Sequence, residues 1–215
     1  PLFIRGKKGV RLSRAGQARS AAGAADETLI GDIADGDRCA MQVLYARHNV
    51  RVYRFVLRLS GDSSLAEDIV ADVFLQVWRR ADGFKAKSRV STWILAIARY
   101  KTLSMLRRRS DDQLDDRAAA SIIDPADDSE AMVCRQDRCE IIRTCLSQLP
   151  AIHREVLDLV YYHDKSVEEV AQIVGVPTNT VKTRMFYARQ RMENLLAAAG
   201  VTPTERASRP GATSQ

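Results

Sequence analysis

Apolar positions along this chain recur at intervals of three and four, the period of helices buried on one side. Ala40 to Leu59 carries Val43, Leu44, Val50, Tyr53, Val56 and Leu57 as a stripe. Asp62, Ser63 and Ser64 supply N-cap chemistry for the next helix. That helix, running to about Arg80, offers Ile69, Val70, Val73, Phe74 and Val77 for burial. Ser91 to Arg109 predicts another, with Trp93, Ile94, Ile97, Leu103 and Leu106 near helical intervals. Helices resume from about Glu130 to Gln148, and Pro150 starts one that reaches about Tyr162. The last pair is the most sharply drawn. Ser166 and Glu169 have the spacing of a capping box, Gly175 follows as a tight turn, and Val181, Met185, Ala188, Met192 and Leu195 line one side of a long final helix. Strand-like alternation is scarce and there is no Asn-Gly hairpin signal, so the pattern predicts an all-α fold.

The stripe fails in three places. Residues 1–25 are rich in Gly, Ala, Ser and Arg and predict a disordered basic N-terminus. The tail, residues 199–215, holds two prolines among small polar groups and predicts the same. Ser110 to Glu130 holds eight acids, one cation (Arg117), Pro125 and few large apolar groups. It reads as a flexible acidic linker. The expected organisation is therefore two small helical domains, residues 26–109 and 131–198, joined by residues 110–130.

Charge sharpens this picture. Lys and Arg total 33 against 27 Asp and Glu, a net charge of +6 over 215 residues. The excess is modest, but Gly83 to Arg109 carries eight cations and no acid just before the acidic segment. Such blocks suit a nucleic-acid surface followed by a solvated connector. The final helix has the same bias. Its short partner, the Gly turn and the cations describe a helix-turn-helix, whose second helix enters the DNA major groove. Off its apolar stripe lie Thr178, Asn179, Lys182, Thr183, Arg184, Phe186, Tyr187 and Arg189. Lys and Arg bind guanine edges or phosphates, Asn reads adenine, and Thr meets a thymine methyl. A solvated basic face is the plain alternative, but such a face gains nothing from two aromatics.

Other chemistry is sparse. No Walker loop, His-Glu-x-x-His or Gly-x-Ser-x-Gly occurs, so nothing points to an enzyme. Cys39, Cys134, Cys139 and Cys145 form no Cys-x-x-Cys pair, and no histidine completes a zinc-finger spacing, so no metal or cofactor is expected. Free thiols in a reducing compartment fit best, with a redox role for the three crowded cysteines as the alternative. Cys134 and Cys145 would sit roughly 16 Å apart on one helix, too far to bridge. No apolar run approaches the ~20 residues that span a bilayer. The N-terminus lacks the apolar core of about 7–15 residues that a secretion signal needs. These features predict a cytoplasmic chain without membrane insertion.

Three ordered motifs carry a resemblance. Ala66-Glu-Asp-Ile-Val-Ala-Asp-Val-Phe-Leu-Gln-Val-Trp78 leads to Gly83-Phe84 and then Val90-Ser-Thr-Trp-Ile-Leu-Ala-Ile-Ala-Arg99. This closely resembles region 2 of the extracytoplasmic-function (ECF) sigma factors of bacterial RNA polymerase. Leu149-Pro150, Arg154-Glu155-Val156 and the stretch from Glu169 to Arg189 resemble their region 4. The resemblance covers about residues 30 to 197. It implies an alternative sigma factor that binds core RNA polymerase, at its β′ clamp helices and β flap, and directs initiation at particular promoters. Glu67, Asp68, Asp72 and Gln76 would face the polymerase. Asp68 and Asp72 sit at i,i+4, a like-charge spacing that costs a few tenths of a kcal/mol, so a partner would explain them better than helix stability. Phe84, Lys85, Lys87, Arg89, Arg99, Tyr100, Lys101, Arg107 and Arg108 would meet the −10 element and assist melting, with cations on the backbone and rings on unpaired bases. Trp93, inside the apolar stripe, is expected in the core. The α-helix after Gly175 would read the −35 element. Family members often carry Asn where Tyr100 stands and Gly where Asn179 stands, and both departures leave the promoter sequence open. An anti-sigma factor is a further implied partner. Two other readings compete: a sigma-like decoy that binds an anti-sigma factor and never touches DNA, and a free-standing helix-turn-helix regulator.

Overall fold

The computed structural model describes residues 23–112 and 133–200, with side chains for residues 23–109 and 140–200. All regular structure among them is helical, as the period of the apolar residues requires. The expected disordered N-terminus up to residue 22, most of the acidic linker and the tail from residue 201 lie outside the described residues. Two compact units divide the chain.

The first unit contains α1 (Asp26–Ala34), α2 (Arg38–Ser60), α3 (Ser63–Arg80), one 3-10 turn (Ala81–Gly83) and α4 (Val90–Asp112). Helix α2 is its centre, packing against α1, α3 and α4. Local chemistry sets its ends. The Asp37 carboxylate accepts from the N–H groups of Cys39 and Ala40 at 2.7 and 3.3 Å. At the other end Gly61 takes φ +72 and returns its N–H to the Leu57 carbonyl at 2.8 Å, a left-handed cap that side chains disfavour. Asp62 follows at once and caps α3 through the Leu65 N–H at 3.0 Å. Only two residues separate α2 from α3, and the two helices pack directly against each other.

The core of this unit departs from the expected stripes on α2 and α4, where Val43, Tyr53, Leu103 and Leu106 are only half-buried. Val50 is exposed, and Val52 and Phe55 take the inward places on α2 with Leu44 and Val56. Trp93 is only half-buried, while Ile94, Leu95 and Ala98 fill the core side of α4. Both helices carry apolar groups on more than one face, so spacing alone does not decide which face turns in. Helix α4 also continues to Asp112, two residues beyond the expected start of the linker at Ser110. Helix α1, which no stripe had singled out, adds Leu29, Ile30 and Ile33 to the core.

A polar node fastens α1 to α2. Arg47 Nη1 donates to the Ala24 carbonyl and to Asp26 Oδ1, each at 2.7 Å, and His48 Nε2 lies 2.6 Å from Asp26 Oδ2. His48 occupies a core position between Leu44 and Val52, where an unpartnered imidazole would be costly. Burial pushes the Asp26 carboxyl up, but the bonds and charges of Arg47 and His48 outweigh it and hold the group below its ordinary range.

The second unit contains α5 (Val133–Ser147), α6 (Ala151–Tyr161), the first five residues of α7 (Val167–Val174) and α8 (Thr178–Ala198). Helix α8 packs along α6 and α5, burying Val181, Met185 and Ala188. From α6 come Val156, Leu157 and Leu159, and Leu149 precedes it. Its connection to α7 is polar and yet enclosed. His163 Nε2 stands 3.4 Å from Asp158 Oδ2, with both side chains almost fully buried. Lys165 Nζ is 3.4 Å from Glu169, and Asp164 adopts φ +52, a conformation Asp tolerates better than most residues.

A depressed carboxyl pKa contributes stability above its unfolded value near 4, and that contribution is lost as pH falls through the folded value. Asp26→Asn is therefore expected to cost roughly 1–3 kcal/mol at pH 7, since it leaves Arg47 and His48 without their anion. Denaturant melts of both proteins should differ above about pH 4 and converge as pH falls below it through the depressed Asp26 pKa; a gap that does not shrink with that fall would show that the carboxylate charge is not what holds α1.

Candidate nucleic-acid and polymerase interfaces

The helix-turn-helix is built as its residues require. Ser166 Oγ accepts from the Glu169 N–H at 3.2 Å, and Glu169 Oε2 accepts from the Ser166 N–H at 3.0 Å, closing the capping box of α7. Gly175 ends α7 at φ +73, with its N–H on the Ala171 carbonyl at 2.8 Å. Pro177, at φ −58 and ψ 148, immediately precedes the first residue of α8. Its ring fixes that entry angle, and its missing N–H would have had no helical partner there. Glu168 is held below the usual carboxylate range, first by its own backbone N–H, then by the Ser166 hydroxyl and, more weakly, by the Lys182 charge.

On α8, Asn179, Lys182, Thr183, Phe186, Tyr187 and Arg189 are exposed, and Thr178 and Arg184 are half-buried. The expected inward stripe is buried from Val181 to Ala188 and half-buried at Met192 and Leu195. Thr183 donates its hydroxyl to the Asn179 carbonyl at 3.0 Å. Its one hydrogen is committed to its own helix, so it can offer a base only its methyl group or its acceptor lone pairs. Phe186, 62% exposed, meets Tyr187 edge-on at 5.5 Å between ring centroids, and Tyr187 stacks with His153 of α6 at 6.5 Å. Arg189 Nε donates to the Tyr161 hydroxyl at 3.1 Å, with the guanidinium carbon 5.8 Å from that ring. His153 and Tyr161 escaped the sequence reading. They touch α8 across 34 and 28 positions of chain, and no local period signals such a contact.

In the first unit, Glu67, Asp68 and Asp72 are exposed along α3 and Gln76 is half-buried. Asp72 has an internal partner, Lys101 Nζ of α4 at 3.2 Å. Asp72 thus has its charge met within the chain, whereas the outward carboxylate of Asp68 is left for a partner. A second cross-helix pair joins Arg109 Nη1 to Asp62 Oδ2 at 2.7 Å. The Asp62 carboxyl is held below its ordinary range, first by the Leu65 N–H and then by Arg109. Arg109 thus ties α4 to the cap of α3.

Ahead of α4, Lys85, Lys87 and Arg89 are exposed and Phe84 is half-buried. Phe84 packs on Trp93 at 5.2 Å between centroids, so the two expected roles, base contact and core support, meet in one ring pair at the surface. Ala86 between the lysines takes φ +52, which costs a residue with a Cβ roughly 1–2 kcal/mol and marks a constrained loop. On α4 itself Tyr100 is 72% exposed, Arg107 and Arg108 are exposed, and Arg99 and Lys101 are half-buried. Cations and exposed or half-exposed rings share this surface, the combination that tracks a single strand and stacks its bases.

No cluster of metal-ligating side chains occurs among the described residues, and no described helix is long and apolar enough to cross a membrane. Cys39 and Cys145 are free thiols, half-buried and buried. The side chains of Cys134 and Cys139 lie outside the described residues, on a continuous helix from Val133 to Ser147.

Known proteins share this arrangement. The family models for sigma-70 region 2 and sigma-70 region 4 match residues 44–111 and 139–192. The ECF RNA polymerase sigma factor SigK of Mycobacterium tuberculosis (strain H37Rv) is 28% identical over 173 residues, 79% of this chain and 92% of that protein. SigK of Mycobacterium ulcerans (strain Agy99) is 29% identical over 175 residues, 80% of this chain and 93% of its own. Among solved structures, the sigma factor RpoE of Bartonella quintana, in complex with the anti-sigma factor NepR, superposes with a TM-score of 0.61 at 26% identity, covering 71% of this chain and 94% of that one. CnrH, in complex with the cytosolic domain of CnrY, gives 0.60 at 23%, covering 81% and 99%, a likeness of fold. The chain belongs to the sigma-70 family, among its ECF sigma factors. It is accordingly an alternative sigma factor, the subunit that binds core RNA polymerase and directs transcription initiation to particular promoters.

The ion pairs give a way to separate fold from partner on α3. Asp72→Ala should lower stability by less than about 1 kcal/mol, the usual worth of an exposed pair, and Asp68→Ala, which only lifts a like-charge repulsion, should leave it unchanged or raise it by a few tenths of a kcal/mol. Thermal melts of both variants check this. Equal losses at 68 and 72 would show that Lys101 gives Asp72 no special role.

Proposed function

We propose that the two units divide the work of initiation. Residues 26–109 engage core polymerase and the −10 element, residues 131–198 take the −35 element, and residues 110–130 connect them. The single observation that carries this reading is α8. One face is buried through Val181, Met185 and Ala188, and the other presents Lys182, Thr183, Phe186, Tyr187 and Arg189. A helix so divided, following a capped helix and a glycine turn, suits major-groove entry. Glu67, Asp68, Asp72 and Gln76 of α3 are the surface offered to the polymerase. Phe84, Lys85, Lys87, Arg89, Arg99, Tyr100, Lys101, Arg107 and Arg108 form the surface offered to the opening promoter.

The chemistry of RNA synthesis belongs to the polymerase, and this chain is a regulatory subunit with no reaction of its own. It acts in the cytoplasm, where the polymerase and promoters are. Its restraint by an anti-sigma factor is supported by the two solved relatives, each held in such a complex or with a cytosolic partner domain. A decoy that never touched DNA would have no use for the exposed Lys182, Arg107 and Arg108. A free-standing regulator would have no use for the acids of α3 or the aromatic-basic surface of α4.

Transcription reconstituted with core polymerase on a library of genomic fragments tests all three readings. Promoter-specific transcripts that depend on this chain are expected; DNA binding without polymerase binding or transcripts would favour the free-standing regulator, and the absence of both DNA binding and transcripts would favour the decoy. In the same system Asp68→Ala with Asp72→Ala should reduce recovery of the chain with core enzyme; wild-type recovery would mean that α3 is a solvated face.

Lys182→Ala should weaken promoter binding without unfolding the chain. If Lys182 meets a phosphate, the slope of log affinity against log salt should fall by about 0.9. Tyr100→Ala should slow formation of permanganate-reactive open complex and leave closed-complex binding nearly intact. Equal loss of both steps would point to folding.

A further inference from the structure

Helix α6 ends in an exposed phenol that no motif accounts for. Tyr161 is the last residue of α6 and 59% exposed, a position where a large ring gains little from burial. Its hydroxyl accepts the Nε–H of Arg189 at 3.1 Å, and its ring lies 5.8 Å from the guanidinium carbon. We propose that Tyr161 is a positioning residue for promoter binding, holding the Arg189 guanidinium ready for a phosphate of duplex DNA. This rests on the assignment of α8 to DNA argued above.

The geometry supports that role. Lys182 and Arg189 stand seven residues apart, two helical turns or about 10 Å, so they share one stripe of α8. Phe186 lies between them, three and four positions away, on the same exposed side. An unrestrained arginine on this stripe would sample many rotamers, and ordering it on a phosphate would weaken binding. With Nε bonded to the phenol and the guanidinium set beside the ring, much of that ordering is complete before DNA arrives. The bond uses only the Nε–H. The terminal N–H groups, which make the paired bonds to a phosphate, remain available. Tyr161 is anchored in turn, because α6 packs along the buried side of α8.

A double-mutant cycle with the full chain and sheared mixed-sequence duplex DNA at low salt tests this. Phosphate contacts do not depend on sequence, so the promoter need not be known. Arg189→Ala should weaken binding and reduce the salt slope by about 0.9. Tyr161→Phe, which keeps the ring, should weaken binding by about 3-fold, and Tyr161→Ala by more, as expected when a long side chain loses its preorganisation. Neither change should matter in the Arg189→Ala background, and the thermal midpoint of Tyr161→Phe should match the parent. If Tyr161→Phe weakens binding equally in both backgrounds, the phenol acts on DNA or on the fold directly and the positioning role is wrong. If Arg189→Ala weakens binding and Tyr161→Phe does not, the DNA face of α8 stands and positioning alone falls. If neither change has any effect, Arg189 is not a DNA contact and the inference goes with it.

Discussion

The described helices turn one side to a core, and most of what they do follows from the side left over. With 3.6 residues per turn, positions three and four apart line up, so burying one stripe fixes the direction of every other residue. In α3, burial of Ile69, Val73 and Val77 turns Asp68 and Asp72 to solvent. In α8, burial of Val181, Met185 and Ala188 turns out Lys182, Phe186 and Arg189. A fully buried aliphatic or aromatic side chain is worth about 1.5–3 kcal/mol. A surface charge pair is worth at most about 1 kcal/mol. The apolar stripe therefore sets the orientation, and the polar face accepts it.

Polar contacts between helices then refine what burial has set. Asp26 receives Arg47 and His48, Asp62 receives Arg109, and Lys101 reaches Asp72. The first differs in kind, because His48 is buried and would otherwise be an orphan in the core. The other two are exposed and link α3 to α4. These are the helices that carry the proposed polymerase face and the proposed promoter face. Of the cations proposed for the promoter, Lys101 is thus partly balanced within the chain by Asp72.

The sequence was most legible where local chemistry and periodicity agreed. The capping box at Ser166 and Glu169, the left-handed glycine at 175 and the stripe from Val181 to Ala188 each carry their own signal, and together they leave one reading. Legibility fell where a helix holds apolar residues on two faces. Val50 and Trp93 fit a stripe on paper, yet Val52, Phe55 and Leu95 are the residues that turn inward. Helix α1 is too short for its three apolar residues to stand out before their partners on α2 are known. His153, Tyr161 and the Asp62–Arg109 pair were beyond reach, because each depends on a neighbour distant in sequence. The order of motifs compensated at the level of family, since region 2 and region 4 patterns in sequence restrict the architecture more than any one stripe.

The outward residues of α8 are not equally free to vary. Lys182 bears on Glu168 only weakly, and Thr183 bonds to its own helix. A change at either alters the face proposed for DNA and leaves the buried side of the helix as it is. Tyr187 and Arg189 lean on His153 and Tyr161 of the neighbouring helix, so a change in one leaves its companion without purpose. Among descendants of this chain, preference at one end of the recognition helix can drift by single steps, while the other end moves in matched pairs or stays as it is.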